Sequence, residues 1–140
     1  MKYLFIVSII LSSVFASDFI KKQNIVIDNK NNIMWQDNND VVLYKENITM
    51  ANVYCENLIL NGYIDWKFPS IKQLSMIIDV KSKKSAITKE FKFIKNDKYW
   101  TNTSYVNMKD NFWYVDFTNG KINFTSEIQE YQVRCYRDIK

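Results

Sequence analysis

The chain has no histidine, two cysteines, two glycines and one proline. Arg134 and Arg137 are its only arginines, and every other cationic side chain is lysine. The missing histidine excludes imidazole acid–base chemistry, His-based triads and His-ligated zinc. A nucleophile at Cys55 or Cys135 would lack an imidazole partner. Proline and glycine are too few to build a flexible linker, and no internal repeat breaks the chain, so a single domain is expected. Long apolar runs are missing too, except at the start. Tyr3 to Leu11 is apolar apart from Ser8, follows Lys2, and precedes Val14-Phe15-Ala16. That order predicts an export signal over residues 1–16, cut after Ala16. About a dozen apolar residues falls short of the roughly 20 that a spanning helix needs. Residue 17 is Ser rather than Cys, so no bacterial lipid anchor is expected. The predicted location is the periplasm or the exterior, with no membrane span after cleavage.

Residues 17–140 are then the working domain, and an aromatic content of 16% is generous for one core. Loss of the signal takes one lysine and no acid from a formal charge of +4, leaving a mildly basic domain. In an exported chain, Cys55 and Cys135 are expected to oxidise. A bridge between them would close a loop to which chain entropy assigns roughly 4.5 kcal/mol. Two free thiols are the alternative.

Along the chain, residues 17–24 are polar and expected to fray. Ile25-Val26-Ile27 and Ile33-Met34-Trp35 read as a hairpin around an Asn-rich turn. Val41 to Tyr44 reads as a short strand or packed loop. A first helix is expected from Thr49 as N-cap. Ala51, Tyr54, Cys55 and Leu58 form its inner face, and Asn61-Gly62 its end. A second helix begins at a Ser70/Gln73 capping box after Pro69, buries Ile71, Leu74, Ile77 and Ile78, and closes at Asp79. Residues 81–98 are irregular and carry Lys81, Lys83, Lys84, Lys89, Lys92, Lys95 and Lys98 against Glu90 and Asp97. Ala86-Ile87 and Phe91 to Ile94 should pin this stretch to the body. The last third is strand. Tyr99-Trp100-Thr101 reads as a strand, Phe112 to Phe117 alternates, a return strand runs through Ile122 and Phe124 after Asn119-Gly120, and Tyr131 to Tyr136 alternates as a final strand.

An ordered set of motifs resembles a known family. It comprises Ile33-Met34-Trp35-Gln36-Asp37, Ala51…Tyr54-Cys55-Glu56-Asn57-Leu58, Gly62-Tyr63-Ile64-Asp65-Trp66-Lys67-Phe68-Pro69-Ser70, Ala86-Ile87, Tyr99-Trp100-Thr101, Trp113 to Gly120 and Val133-Arg134-Cys135. Together they resemble the Lcl C-terminal domain family, the terminal domain of bacterial collagen-like adhesins. Asn32, Met50, Lys67-Phe68, Gln73 and the stretch from Tyr99 to Thr103 depart from its usual residues. The resemblance implies an α+β, C-type lectin-like fold. Two helices would pack on a small antiparallel sheet, with the termini close together and one long-range disulfide from the first helix (Cys55) to the last strand (Cys135).

The chemistry that this admits is binding. Asp37-Asn38-Asn39-Asp40 offers oxygen ligands but lacks the Gly and distal Glu of a known calcium loop, so no metal is expected. Asp65 and Asp116 could be imagined as an acid and base, but Asp65 before Trp66 reads better as a turn residue. No catalytic residue and no cofactor are expected. Trp35, Trp66, Trp100 and Trp113 read as core before they read as sugar platforms. Lys81, Lys83, Lys84, Lys89 and Lys92 are the candidate ligand-binding residues, suited to spaced anions on a glycan. The expected partner is a glycan or, alternatively, an envelope protein. Nucleic acid is not expected outside the cell, and the sequence leaves oligomeric state open.

Overall fold

The computed structural model describes residues 17–140. The export signal expected over residues 1–16 lies outside the described residues. Among the described residues the fold is mixed α+β, with two sheets and three short helices.

The first sheet begins with β1 (Phe19–Lys22), which pairs antiparallel with β2 (Ile25–Asp28). Residues 19–22 therefore do not fray. An edge strand exposed along most of its length needs only backbone partners, so it shows no apolar alternation to read. β2 turns into β3 (Ile33–Gln36) with Asp28 opposite Ile33, and Asn32 takes φ 53° in that turn. Asp28 closes the turn by accepting hydrogen bonds from Asn31 N at 3.1 Å and Asn31 Nδ2 at 2.7 Å.

The next stretch is helical rather than extended. α1 (Asp40–Leu43) is a single turn that buries Val41. A two-residue strand β4 (Lys45–Glu46) follows, and then α2 (Ile48–Asn57). The N-cap is Asn47, whose side chain accepts from Met50 N at 3.0 Å, two residues ahead of the expected Thr49. Starting there buries Ile48 on the same face as Ala51 and Cys55. The helix ends at Asn57, where Leu58 turns extended. Asn61 (φ 51°) and Gly62 (φ 79°) form a separate tight turn between Leu60 and Tyr63. The left-handed backbone expected at a helix end belongs to this small hairpin instead. α3 (Ile71–Ser75) begins at the expected capping box. Ser70 Oγ accepts from Gln73 N at 3.2 Å, and Gln73 Oε1 accepts from Ser70 N at 2.8 Å. It stops at Ser75, short of Asp79, because residues 77–79 turn away to bond with residues 86–88.

The second sheet is built by β5 (Lys98–Ser104), β6 (Asn111–Asp116) and β7 (Lys121–Ser126) in antiparallel succession. The expected final strand is two strands. β8 (Tyr131–Gln132) lies between β4 and β5 in the five-stranded sheet, parallel to β5. β9 (Tyr136–Asp138) completes the four-stranded sheet against β3. Residues 133–135 step from one sheet to the other, and every side chain from Gln132 to Arg137 is buried, the polar ones included.

Cys135 lies in that step and is bonded to Cys55 of α2, with Cα atoms 5.6 Å apart. Around the bridge pack Ala51, Trp66, Phe68, Trp100 and Val133. A second core gathers Val26, Trp35, Leu74, Ile77, Tyr99, Val115 and Phe117. Trp35, Trp66 and Trp100 are buried as expected, and their Ala variants would each cost about 3–5 kcal/mol. Trp113 is half-buried, edge-on to Tyr105 and Phe124 at the end of the second sheet.

Candidate functional site

Residues 76–97 leave α3, cross the molecule without a strand of their own, and return as β5. Apolar anchors hold the first part. Ala86, Ile87 and Phe91 are buried, and Ser85 with them. Backbone bonds run from Ala86 N to Phe117 O at 2.7 Å, from Asp79 N to Ala86 O at 2.9 Å, and from Thr88 N to Ile77 O at 3.0 Å. The segment is irregular yet fixed, because its apolar residues fill the second core and its amides find acceptors on neighbouring elements.

The second part is held by polar groups that arrive from far along the chain. Asp37 is buried directly after β3, and its two carboxylate oxygens accept from Lys92 N at 2.9 Å and Phe93 N at 3.0 Å. Arg134 is fully buried. It donates through one terminal nitrogen to Gln36 O at 2.6 Å and Asp37 Oδ1 at 3.2 Å, and through the other to Phe93 O at 2.6 Å. Its guanidinium also lies 4.5 Å from the centroid of the Phe91 ring. Tyr99 finishes the clamp. Its hydroxyl accepts from Lys95 N at 3.0 Å and donates to Lys95 O at 2.9 Å. Burial pushes the pKa of that hydroxyl up against the opposing pull of Arg134, so it stays protonated and able to donate.

What the clamp presents to solvent is lysine. Lys83, Lys84, Lys89 and Lys92 line one groove of about 430 Å³. Lys84, Lys92 and Lys95 line an adjoining one of about 460 Å³. No carboxylate is among the lining residues of either. The two nearby acids in the sequence are engaged elsewhere. Glu90 accepts from Ser17 Oγ at 2.8 Å, and Asp97 pairs with Lys45 at 2.6 Å. Four of the five candidate lysines thus come together, and Lys95 joins them. Lys81 does not line the grooves; it sits in the turn after Val80, where its backbone N donates to Asp79 Oδ1 at 3.0 Å. Lys98 points elsewhere, with its ammonium 5.6 Å from the Tyr114 ring and 5.5 Å from the Tyr131 ring.

The other candidate groups are occupied. In the Asp37–Asp40 stretch, Asp37 is committed to the clamp. Asp40 Oδ2 accepts from the Tyr54 hydroxyl at 3.1 Å, and Asn38 Oδ1 accepts from Gln36 Nε2 at 2.9 Å. Burial raises the Tyr54 pKa, which keeps that hydroxyl a donor. Among the described residues, no cluster of three or more acidic or cysteine side chains is placed to hold a metal ion. Asp65 does not serve a turn but takes a forked pair of bonds from Arg137, at 2.7 and 3.1 Å. The Arg137 bond holds the Asp65 carboxyl below its ordinary pKa. Asp116 Oδ1 accepts from Thr118 N at 2.9 Å.

Residues 24–137 match the family model of the Lcl C-terminal domain. The chain belongs to the Lcl C-terminal domain family. No curated protein matches it. The Lcl C-terminal domain is a module of bacterial surface proteins and not a known catalytic family. In this Lcl C-terminal domain the disulfide, the clamp and the lysine grooves are one connected arrangement. Cys135 follows Arg134, Arg134 holds Asp37 and Phe93, and Asp37 holds Lys92. The clamp escaped the sequence reading. Its one signal was a lone arginine among Val133, Cys135 and Tyr136, a charge in an otherwise apolar stretch of a chain with almost no arginine.

Proposed function

We propose that this Lcl C-terminal domain is an exported, non-catalytic binding module that recognises an anionic glycan through its lysine grooves. The observation that carries the reading is the convergence of Lys83, Lys84, Lys89, Lys92 and Lys95 on two adjoining grooves with no carboxylate in their lining. Lysines scattered at random over a mildly basic surface would alternate with acids. Here Asp97 pairs with Lys45 and Glu90 accepts from the Ser17 hydroxyl, both outside the groove linings, and the lysines outnumber these acids, which leaves a local excess of positive charge to attract and hold sulfate, phosphate or uronate groups. The disulfide from α2 to the segment before β9, beside a long irregular stretch, supports a C-type lectin-like architecture.

The test is binding of the purified protein to sulfated polysaccharides at low and high salt, with and without calcium. Binding should weaken with salt and be indifferent to chelator. Lys83→Ala, Lys84→Ala and Lys92→Ala combined should lower affinity on the order of tenfold to a hundredfold. Loss of binding on chelation would replace this reading with a metal-dependent one. A second reading, a protein partner in the envelope, rests on a different observation. The outer face of α2 carries an apolar hollow of about 300 Å³ lined by Met50, Val53, Tyr54, Leu58 and Ile59. A stoichiometric complex with an envelope protein, lost in Val53→Lys, would support it.

A further inference from the structure

We propose that the open edge of β7 is a docking site for one extended segment of a partner protein, which joins the five-stranded sheet as a further strand. The site depends on neither the lysine grooves nor the α2 hollow.

A sheet edge carries unpaired amides and carbonyls, and folded proteins shorten it, charge it or cover it. Among the described residues, three of the four sheet edges are treated in one of these ways. β1 is four residues long and ends in Lys21 and Lys22. β4 is two residues long, and both are charged. β9 is three residues long and is covered by Lys67, whose backbone exchanges bonds of 2.7 and 3.0 Å with Tyr136. β7 differs from all three. It runs for six residues and keeps its register with β6 throughout. It has no proline, and its one charge, Lys121, stands at its first position.

The bonds on either side tell which groups face outward. Glu127 N donates to Asp110 O at 2.9 Å, just past the last rung of the β6–β7 ladder. Antiparallel rungs alternate, so Thr125, Asn123 and Lys121 turn their backbone groups toward β6. Ser126, Phe124 and Ile122 turn theirs to the open edge. Trp113, opposite Phe124, agrees with this parity. Its carbonyl accepts from Thr101 Oγ1 on β5 at 2.7 Å and so points away from β7. On the open edge, Phe124 N donates to its neighbour Asn123 Oδ1 at 2.8 Å. The Ile122 amide and carbonyl and the Phe124 carbonyl have no partner among the described residues.

The complement of such an edge is another backbone in extended form. The side chains specify what it carries. Ile122 is 43% exposed and shares a face with Phe124, which stacks on Tyr105 at 3.7 Å. On that face the incoming strand carries branched or aromatic apolar residues. The other face shows Lys121, Asn123 and Thr125. There it carries polar residues, with an acid beside Lys121. Asn123 is the guard of the edge, since rotation of its side chain releases the Phe124 amide.

The probe is a capped synthetic peptide with the sequence of residues 111–117, which spans the strand that already pairs with β7 on its inner side. It is titrated into the wild type, Asn123→Ala, Ile122→Ala and Ile122→Pro, with amide NMR shifts and hydrogen exchange as readouts. In the wild type the shifts should concentrate on residues 121–126, and exchange should slow at Ile122 and Phe124. Asn123→Ala frees an amide and should bind on the order of fivefold more tightly. Ile122→Ala keeps its amide, so it should weaken binding on the order of threefold to tenfold and retain the slowed exchange at residue 122. Ile122→Pro removes an outward amide, which a sheet edge tolerates, and should abolish binding while the shifts of β5 stay in place. If Ile122→Pro does not fold, the Asn123→Ala gain and the exchange pattern decide the matter. Shifts centred away from β7, or a folded Ile122→Pro that binds like the wild type, would overturn the proposal. So would the absence of binding to both the wild type and Asn123→Ala at millimolar peptide.

Discussion

The β5–β6–β7 meander and the lysine-bearing segment of residues 76–97 lie against each other but are held in opposite ways. The meander is a ladder. β6 and β7 keep one unbroken register from Asn111 opposite Ser126 to Asp116 opposite Lys121. Each rung is worth about 1 kcal/mol net, so no single one decides the outcome. The segment has no ladder of its own. Buried apolar anchors hold its first part, and its second part hangs on a few buried polar groups, chiefly the Asp37 carboxylate, the Arg134 guanidinium and the Tyr99 hydroxyl. Stability spread over many weak bonds tolerates substitution; stability concentrated in buried polar groups does not. The charge available for binding is displayed on the second kind of structure.

The sharpest way to break this contrast is Asp37→Ala. It removes the acceptor of two amides and leaves Arg134 buried without its counter-charge, which should cost about 3–5 kcal/mol in a denaturant midpoint. Amide hydrogen exchange should accelerate first at Lys92 and Phe93. Equal acceleration across β6 and β7 would mean that the two regions are one cooperative unit and the contrast is wrong. A smaller effect belongs to Gly120, where the meander's turn touches the segment. It has φ +78°, and a Cβ there would lie 2.9 Å from Val80 Cγ1 and 3.1 Å from Ile78 Cγ2. Gly120→Ala should therefore cost about 1–3 kcal/mol through overpacking and left-handed strain. A neutral thermal melt would show that residues 78–80 yield freely.

The smallest effect should come from Lys45–Asp97, the pair at the segment's exit. Burial pushes the Asp97 pKa up, but the Lys45 hydrogen bond and the Lys98 amide outweigh it and leave the carboxyl below its ordinary value. A lowered folded pKa means that the pair's stabilisation is present above the unfolded value near about 4 and is lost as pH falls through the folded one. Both partners are partly exposed, so Lys45→Ala should cost under about 1 kcal/mol at neutral pH. The gap from wild type should close in acid. A gap that ignores pH would remove the ion pair from the account.

What could be read from the sequence follows the same division. β2, β3 and β5 were legible as short runs of β-branched and aromatic residues, β6 as an alternating run, β7 from the Asn119-Gly120 turn before it, and α3's start because a capping box is a local chemical device. β1 was not, since an exposed edge strand is recruited by its neighbour's backbone. The helix start at Asn47 was displaced to Thr49 because both residues can cap, and only the burial of Ile48 chooses between them. The division of Tyr131 to Asp138 into two strands was invisible, as the alternation in sequence does not say which strand lies alongside, and here it does not mark a buried face either, since Gln132 and Arg134 are as buried as Val133 and Cys135. Four lysines of the grooves could be named from local charge density. The Asp37–Arg134 clamp could not, because it meets the segment only through long-range folding.

The divided final strand carries a consequence for timing. β8 fills a place inside one sheet and β9 completes the other, so both sheets wait for the same late stretch of chain. Everything made earlier, from the first hairpin to the meander, emerges before either sheet can be finished. Contacts this far apart in sequence also form slowly. Neither sheet has all its strands, and Cys55 has no partner, until this last stretch is in place.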